Sequence, residues 1–457
     1  MFSSKYLYPA GLSAIIFSLL ITYPIQVVSS SYAFSYALYA IIFLVTLYML
    51  MIERIDNIVV STTDKILILY LFLMSVHLFE EYFFTQSIVS PLRIAVIYTL
   101  PILFYYTLLY NKRIPFKPGH LIHILLFFSV IIGIESYFSF FQTSIPSWYE
   151  QQHFNYVYML TGEHLFQLLG PLRKNGLMDH IHVTSLFIAF GFLTTSIIYT
   201  RYNGLSLLYG LLSVFLFGCL VAIGVRLTLI SAFVFLTIYI VFFYRSHGWQ
   251  QKKIIIWLIF LVIHPILLLI FSFEGKLYFW SVIYLQYVPD HILSYFLSSE
   301  YIQLIHHYSV DQCSIENFMT KEIVTFNAST TTNFVMSPFW LTLFGTGFGT
   351  LSLHYGYASD DFFIAQLYSQ LGTIGILLLI FLSATAIRNA YILLQCQDQT
   401  RIHQSTWIAL GFIALLLLSL IHSGVFLRKS AYPLFFMFVI MLDYLKKHIS
   451  SDCHHAK

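Results

Sequence analysis

The sequence is poor in charge, in cysteine and in residue spacings that would hold a metal ion. Only 9% of the 457 residues are charged, whereas a soluble domain is roughly one quarter charged. The four cysteines stand far apart, so neither a disulfide framework nor a cysteine-based metal site is expected. The net charge of +3 comes without a basic tract, and no glycine-rich nucleotide loop is present. These absences exclude a soluble globule and argue against nucleic acid, a nucleotide or a metal cofactor as a partner.

Long apolar runs take the place of charge. Hydrophobic residues make up 59% of the chain, and its mean hydropathy is +0.79. A helix of about twenty apolar residues crosses a bilayer and satisfies its own backbone hydrogen bonds, whereas a barrel needs short alternating segments. The sequence therefore predicts an all-α polytopic membrane protein, a single membrane domain over 1–457 with about twelve transmembrane helices. The predicted spans are 9–29, 32–52, 65–84, 92–110, 119–142, 181–200, 204–223, 226–244, 254–273, 361–387, 405–424 and 430–446.

The distribution of lysine and arginine predicts the orientation. If the N-terminus is inside, roughly two thirds of the 23 lysines and arginines lie in inside segments. The first run resembles a secretory signal, but no small-x-small cleavage site follows it, so a retained span is expected. We therefore expect a multi-pass protein of the bacterial inner membrane with both termini cytoplasmic. The two long loops, 143–180 and 274–360, then lie outside, and the apolar 274–360 predicts short amphipathic helices along the membrane surface.

Ionisable residues near the spans collect at the predicted outer ends. An ionisable side chain at the centre of a bilayer costs about 2.5–3.5 kcal/mol on insertion scales, so each one calls for a reason. The residues in question are His77, Glu80, Glu81, Arg93, Arg173, His180, His182, Arg226, Asp360, Asp361, His422 and Arg428. The sequence therefore predicts that the functional surface is the outer one.

Structural roles also fit several of these residues. Arg428 fits a side chain that reaches lipid headgroups, and His180 fits a structural histidine. Asp360 and Asp361 fit the N-cap and first turn of the tenth span, where a carboxylate interacts well with the helix dipole. Arg226 is harder to explain in this way, because its loop is too short to give it free access to water.

Two glycine segments flank the predicted start of the tenth span. Residues 343–350 read LFGTGFGT and residues 371–375 read LGTIG. By themselves, the glycines of the first segment fit turns and those of the second fit helix packing. Together with Asp360 and Asp361 between them, the two segments resemble the closing signature of the O-antigen polymerase and O-antigen ligase superfamily.

Two further segments carry the same resemblance. Residues 170–176 read GPLRKNG and are followed by Asp179 and His180, which resembles an arginine-containing segment of the family before a new span. Arg226 resembles the family's arginine at the head of a span, although Val225 stands where a serine is expected. The matched region covers roughly 170–380. Ligases carry a histidine followed by serine or threonine where this chain has Asp360 and Asp361, so the polymerase branch is favoured.

The resemblance implies a membrane glycosyltransferase that joins undecaprenyl-diphosphate-linked oligosaccharides outside the membrane. A sugar hydroxyl attacks the anomeric carbon of the growing chain and undecaprenyl diphosphate leaves, so the protein mainly positions substrates and stabilises charge. The implied catalytic residues are Asp360 or Asp361 as the base and Arg226 at the diphosphate. The implied substrate-binding residues are Arg173, Arg428, His180, Glu81 and Gly347. Membrane lipid and a chain-length regulator are expected partners, with no metal and no cofactor.

Two other functions remain open at this stage. A related ligase would transfer the glycan to lipid A-core, but the missing histidine counts against it. A flippase of lipid-linked oligosaccharide should carry charged residues deep in its spans and polar groups on both faces. Here the middle of each span is overwhelmingly apolar, which favours the polymerase.

Overall fold

The structure is a computed structural model, and it describes most of the apolar part of the chain. The described residues are 4–29, 33–52, 60–111, 117–140, 178, 181–201, 206–223, 225–247, 251–271, 338–349, 363–395, 400–419 and 431–454. They are almost entirely helical, and no strand occurs within these ranges. The prediction of an all-helical protein is therefore confirmed for the described chain.

The helices follow the predicted spans in order, with additional short elements. They are α1 (Ser4–Leu20), α2 (Thr22–Ser29), α3 (Ala33–Ile52), α4 (Thr62–Thr85), α5 (Val89–Ile94), a π-helical turn (Ala95–Thr99), α6 (Leu100–Tyr110), α7 (Pro118–Phe140), α8 (Ile181–Arg201), α9 (Ser206–Ile223), α10 (Arg226–His247), α11 (Gln251–Phe271), α12 (Pro338–Phe344), α13 (Phe363–Gln395), α14 (Thr400–Ser419) and α15 (Tyr432–His454).

Six stretches of the described chain are helical, long and apolar enough to cross a membrane. They are Ala33–Met51, Thr62–Thr85, Val89–Tyr110, Pro118–Tyr137, His182–Thr200 and Leu367–Gln395. A seventh is possible where α1 and α2 meet at a bend of 60° within the first predicted span. Shorter apolar helices occupy four further predicted spans. These helices fit a multi-pass membrane protein, and the count of about twelve spans stays a prediction.

Two helices are enclosed by the others, whereas the outer helices expose apolar side chains. Nearly all residues of α8 between His182 and Thr200 are buried, and α15 is buried from its first turn to Leu442. Most residues of α3 are not buried, and side chains such as Leu44 and Met51 are exposed. Such exposure suits a helix that faces lipid, because lipid tails are as apolar as the side chains themselves.

Helix α4 is the element that connects the two ends of the bundle. It begins with a capping box, in which Ser61 and Asp64 bond each other's backbone N–H groups. It ends at Gln86, which adopts a left-handed conformation with φ 51°. Along its length α4 packs against α13 and α15, and the hydroxyl of Tyr70 hydrogen-bonds that of Tyr432. Side chains at the two ends of α4 therefore meet the corresponding ends of α13.

Candidate functional site

A tight glycine turn follows the short helix α12. Gly345 and Gly347 have φ values of 78° and 71°, a left-handed conformation that side chains with a Cβ rarely adopt. Phe348 of the same turn stacks on Tyr98 with ring centroids 4.4 Å apart and meets Tyr432 edge-on. The turn is therefore fixed both by its backbone conformation and by one aromatic anchor.

Helix α13 is kinked where the second glycine segment lies. Gly372 has φ 61° and ψ −176°, so the regular ladder of helical hydrogen bonds is interrupted there. The carbonyls of Ser369 and Gln370 instead accept the backbone N–H groups of Thr346 and Gly347, both at 2.8 Å. The glycine turn thus replaces the hydrogen-bond donors that the kink removes from the helix.

The backbones of the two glycine segments are in direct contact. A Cβ added to Gly345 would lie 2.5 Å from the Gln370 carbonyl oxygen, and one added to Gly372 would lie 2.5 Å from the Gly345 nitrogen. Thr373 adds a hydrogen bond of 3.0 Å from its hydroxyl to the Thr342 carbonyl. No side chain fits between the two segments, so the glycines at both positions are required by their contacts as well as by their φ angles.

The other two glycines of the turn rest on the end of α4. A Cβ on Gly347 would lie 2.9 Å from the Cβ of His77, and one on Gly349 would collide with the carboxylate of Glu81. We call this assembly the glycine junction. It consists of His77, Glu80 and Glu81 of α4, the Gly345–Gly349 turn, and Gln370 and Gly372 of α13.

The end of α4 in the glycine junction carries hydrogen-bonded polar side chains. His77 Nδ1 lies 3.1 Å from the Glu80 carboxylate, whose other oxygen accepts the indole N–H of the partly exposed Trp340 from α12. Glu81 accepts a hydrogen bond from the hydroxyl of Ser90 in α5. His77, Glu80 and Glu81 are buried, so the bond between His77 and Glu80 lies in a weakly screening environment.

Two buried polar atoms of the glycine junction lack a hydrogen-bond partner within the described residues. They are Nε2 of His77 and Oε1 of Gln370. Buried polar atoms in native proteins are nearly always paired, so an unpaired one calls for an explanation such as a ligand or a functional role. Both atoms belong to side chains that flank the glycine turn.

The structure places only some of the predicted site residues. Glu81 and Gly347 belong to the glycine junction. Arg226 is the first residue of α10, which packs against α8 and α14, and the adjacent Thr228 hydroxyl lies 3.0 Å from that of Ser185. Predicted site residues that lie outside the described residues are Arg173, His180, Asp360, Asp361 and Arg428.

The sequence predicts no role for three residues of the glycine junction, His77, Glu80 and Gln370, nor for Trp340, which bonds Glu80. His77 and Glu80 stand out only as polar residues near the end of a span. A histidine and a glutamate three residues apart on an apolar helix share one face, and this spacing could have indicated the pair. Nothing in the sequence indicates that Trp340 or Gln370 meets them.

A second buried polar group lies at the opposite ends of α4 and α13. Lys447 of α15 binds the carboxylates of Asp64 and Asp443 at 2.6 and 3.0 Å. Tyr110 donates to Asp443 at 2.7 Å, and the amide of Asn389 donates to the same side chain at 3.3 Å. We call these residues the aspartate network, together with Ser61 and Tyr106, which bond Asp443 and Asp64.

Neither group looks like a metal centre. No cluster of three or more histidine, cysteine, aspartate or glutamate side chains with a geometry for metal binding occurs in the part of the chain that the structure describes. Comparison with known proteins adds no assignment. No protein-family model, no curated protein and no solved structure matches this chain at the significance required.

Proposed function

We propose that the protein polymerises undecaprenyl-diphosphate-linked oligosaccharide units on the outer face of a bacterial inner membrane, which it spans about twelve times. The observation that supports this most is the contact between the two glycine segments that carry the family resemblance. The backbone of Gly345 in the first segment contacts that of Gly372 in the second, and Thr346 hydrogen-bonds Ser369 just before the second segment. A shared motif whose parts build one site is stronger support than a motif of separate turns.

The chemistry needs little from the protein beyond positioning and charge. Diphosphate is already a good leaving group, so the enzyme must hold the donor, orient the acceptor hydroxyl and neutralise the departing charge. Arg226 and Arg173 are proposed to bind the diphosphate, because a guanidinium is permanently charged and can bind phosphate through two parallel hydrogen bonds. Arg428 and His180 are proposed to assist in substrate binding.

Asp360 and Asp361 fit two tasks in this reaction. A carboxylate can accept the proton of the acceptor hydroxyl, and it can stabilise positive charge that develops at the anomeric carbon. Both residues stand directly before α13, the helix whose kink builds the glycine junction. Glu81 and Gly347 are proposed to shape the acceptor side of the same site.

Deleting the gene and separating the surface glycan on a gel tests the proposed function. A polymerase deletion should leave a single repeat unit on the glycan carrier and remove the ladder of longer chains. Loss of all glycan from lipid A-core, with polymer accumulating on undecaprenyl diphosphate, would instead identify a ligase. Single units accumulating on the cytoplasmic side would identify a flippase. An unchanged ladder would exclude all three.

A second experiment tests the proposed residues in the complemented deletion strain. Arg226→Lys keeps the positive charge but loses the planar guanidinium, so the ladder should be strongly reduced while the protein stays in the membrane. Asp360→Asn and Asp361→Asn keep the capping ability of the side chain but cannot act as an anion, so at least one should remove the ladder. Wild-type ladders from all three variants would leave the proposal without its residues.

A further inference from the structure

We infer that His77 and Glu80 form the proton-accepting pair of this site, and that the ligand bound between His77 and Gln370 is a saccharide hydroxyl group. The inference rests on the proposed function and adds to it a residue assignment and a ligand class. It assigns proton transfer and stabilisation of charge at the anomeric carbon to different residues. The pair takes the proton of the acceptor hydroxyl, and Asp360 and Asp361 keep the role of stabilising charge at the anomeric carbon.

The hydrogen bonds of Glu80 determine the state of the histidine ring. A carboxylate only accepts hydrogen bonds, so the oxygen that lies 3.1 Å from His77 Nδ1 requires the proton on that nitrogen. The neutral ring then carries its lone pair on Nε2. Trp340 donates to the other oxygen of Glu80, which fixes the carboxylate in the orientation that serves His77. This is the arrangement by which a carboxylate orients a general-base histidine in hydrolytic enzymes.

The unpaired atoms indicate what the site binds. Nε2 of His77 in this state is an acceptor, and the unpaired atom of Gln370 is an amide oxygen, which is also an acceptor. Within the described chain, two buried acceptors that flank one turn thus lack donors. A sugar carries several hydroxyl donors, so a saccharide can offer a donor to each of these atoms. A phosphate oxygen is a poor match, because it offers an acceptor where a donor is needed.

The glycines of the turn keep the polar side chains of α4 in place. Gly347 lies against His77 and Gly349 against Glu81, and a Cβ at either position would collide with these side chains. Catalytic hydrogen bonds often form only in the complex with substrate, so the missing partner of His77 Nε2 in the free protein agrees with this role.

The proposed step transfers the growing chain from undecaprenyl diphosphate to the acceptor hydroxyl. The oxygen of the acceptor hydroxyl forms a bond to the anomeric carbon of the donor sugar. The bond from that carbon to the diphosphate oxygen breaks, and its electron pair leaves with undecaprenyl diphosphate. The hydroxyl proton passes to His77 Nε2, so that the ring becomes an imidazolium ion beside Glu80. The ring later returns the proton to water.

Glu80→Gln provides a test that depends on the tautomer of the ring rather than on shape. With Trp340 still donating, the glutamine oxygen faces the indole and its NH₂ group faces His77 Nδ1. The ring must then move its proton to Nε2, which can no longer accept. Turnover should fall by about 100-fold or more, the range for loss of general base catalysis. Trp340→Phe alone keeps the ring contact with Phe344 but removes the indole donor that orients Glu80, so its turnover should fall, though less than that of Glu80→Gln.

The double variant Glu80→Gln/Trp340→Phe separates catalysis from folding. Without the indole donor, the glutamine amide can turn its oxygen towards His77 Nδ1 and restore the original tautomer. The double variant should therefore regain at least about tenfold of the turnover that Glu80→Gln loses, a partial return of the general-base contribution. A purely structural role for the Glu80 hydrogen bonds predicts the opposite, because each substitution removes one bond and the double variant should be worst.

The measurement uses the purified full-length chain in lipid nanodiscs. The substrate is the single-unit lipid-linked oligosaccharide extracted from the deletion strain, and the rate of chain extension and the thermal unfolding temperature are both recorded. His264→Gln serves as the matched control, since this half-buried histidine of α11 bonds the Val214 carbonyl. It should extend chains like the wild type. Extension by the wild type with no loss in Glu80→Gln, or no recovery in the double variant, would overturn the inference alone. No extension by the wild type would overturn the proposed function with it.

Discussion

The glycine junction and the aspartate network lie at opposite ends of α4 and α13, and both are buried polar groups in an apolar bundle. In the aspartate network, all four carboxylate oxygens of Asp64 and Asp443 have hydrogen-bond or ion-pair partners. In the glycine junction, His77 and Gln370 each keep a buried atom that is unpaired within the described residues. The carboxylates of the aspartate network are thus fully paired without a ligand, whereas the glycine junction keeps unpaired polar atoms.

The backbone shows the same difference. The described positive φ angles at glycine all belong to the glycine junction, at Gly345, Gly347 and Gly372. The aspartate network is built on regular helix ends, with a capping box at the start of α4. Strained backbone and unpaired polar atoms collect at functional sites, whereas satisfied polar networks fix the packing of helices. We therefore propose that the glycine junction has a chemical role and that the aspartate network fixes the register of the helices.

The largest effect is expected from Gly372→Val. A Cβ at this position meets the backbone of Leu343 and Gly345 at 2.5 Å, and the φ of 61° disfavours a β-branched residue. Backbone cannot move aside as a side chain can, so we expect a loss of about 4–5 kcal/mol or more in the free energy of unfolding. Little folded protein should be recovered, as judged by gel filtration in detergent.

Gly11→Val and Gly119→Val are the matched controls for this substitution. Both glycines lie in helices with open space around the position of a Cβ. Their variants should be recovered as folded protein in amounts near those of the wild type. Equal recovery of Gly372→Val would mean that the two glycine segments are not held in contact.

Lys447→Met should have the next largest effect, and on stability alone. It leaves the buried carboxylates of Asp64 and Asp443 without their shared cation, a change that typically costs about 3–5 kcal/mol. Unfolding in mixed micelles measures this cost. Replacing both carboxylates as well, in Asp64→Asn/Asp443→Asn/Lys447→Met, should recover part of it. Glycan extension per folded molecule should stay at the wild-type level. A loss of extension per folded molecule would mean that the aspartate network takes part in catalysis.

Gly347→Ala should have a smaller effect on stability and a large one on function. The left-handed φ of 71° costs an alanine about 1–3 kcal/mol, and the new methyl group must displace His77 from its position. Thermal unfolding should shift by a few degrees, whereas the glycan ladder should be strongly shortened. A normal ladder at a normal protein level would reduce the Gly345–Gly349 segment to an ordinary turn.

The last prediction concerns orientation and not stability. Labelling of single cysteines decides whether the glycine junction or the aspartate network lies towards the outside of the membrane. Cys313, in the predicted outer segment 274–360, should react with a membrane-impermeant maleimide added outside whole cells. A cysteine introduced by Ser246→Cys, in the predicted inner segment 245–253, should react only after the cells are opened. Each is tested in a chain whose other cysteines are replaced by alanine. The reverse pattern would place the glycine junction inside and would contradict the proposed reaction.

Parts of the candidate site were accessible to sequence reasoning and parts were not. Gly347 and Glu81 were predicted as site residues, the first through a glycine motif and the second as a carboxylate at the end of a span, and the structure brings both into the glycine junction. Gly372 was expected to fit helix packing, but it kinks α13, because its φ is a property of the surrounding contacts and not of the local sequence. Gly375 does contact Leu73 of α4, as a packing glycine should.

The aspartate network shows the same limit at the other end of the bundle. The spacing of Asp443 and Lys447, four residues apart, predicts an ion pair on one helix face. The participation of Asp64, Asn389 and Tyr110 depends on three other helices that are distant in the chain. The sequence indicates that the middle of the spans is apolar, and it does not reveal this group because its members come from segments that are far apart in the chain.

The sequence by itself determined that the chain forms apolar helices of membrane-spanning length. The apolar composition indicates that these segments lie in lipid. In lipid each helix must satisfy its backbone hydrogen bonds within itself, so local sequence is sufficient to predict it. Only the tertiary structure decided that Gly345 meets Gly372, that Trp340 fixes Glu80, and that His77 keeps an unpaired nitrogen. These facts depend on how helices far apart in the chain pack side by side, and no local pattern of residues encodes that packing.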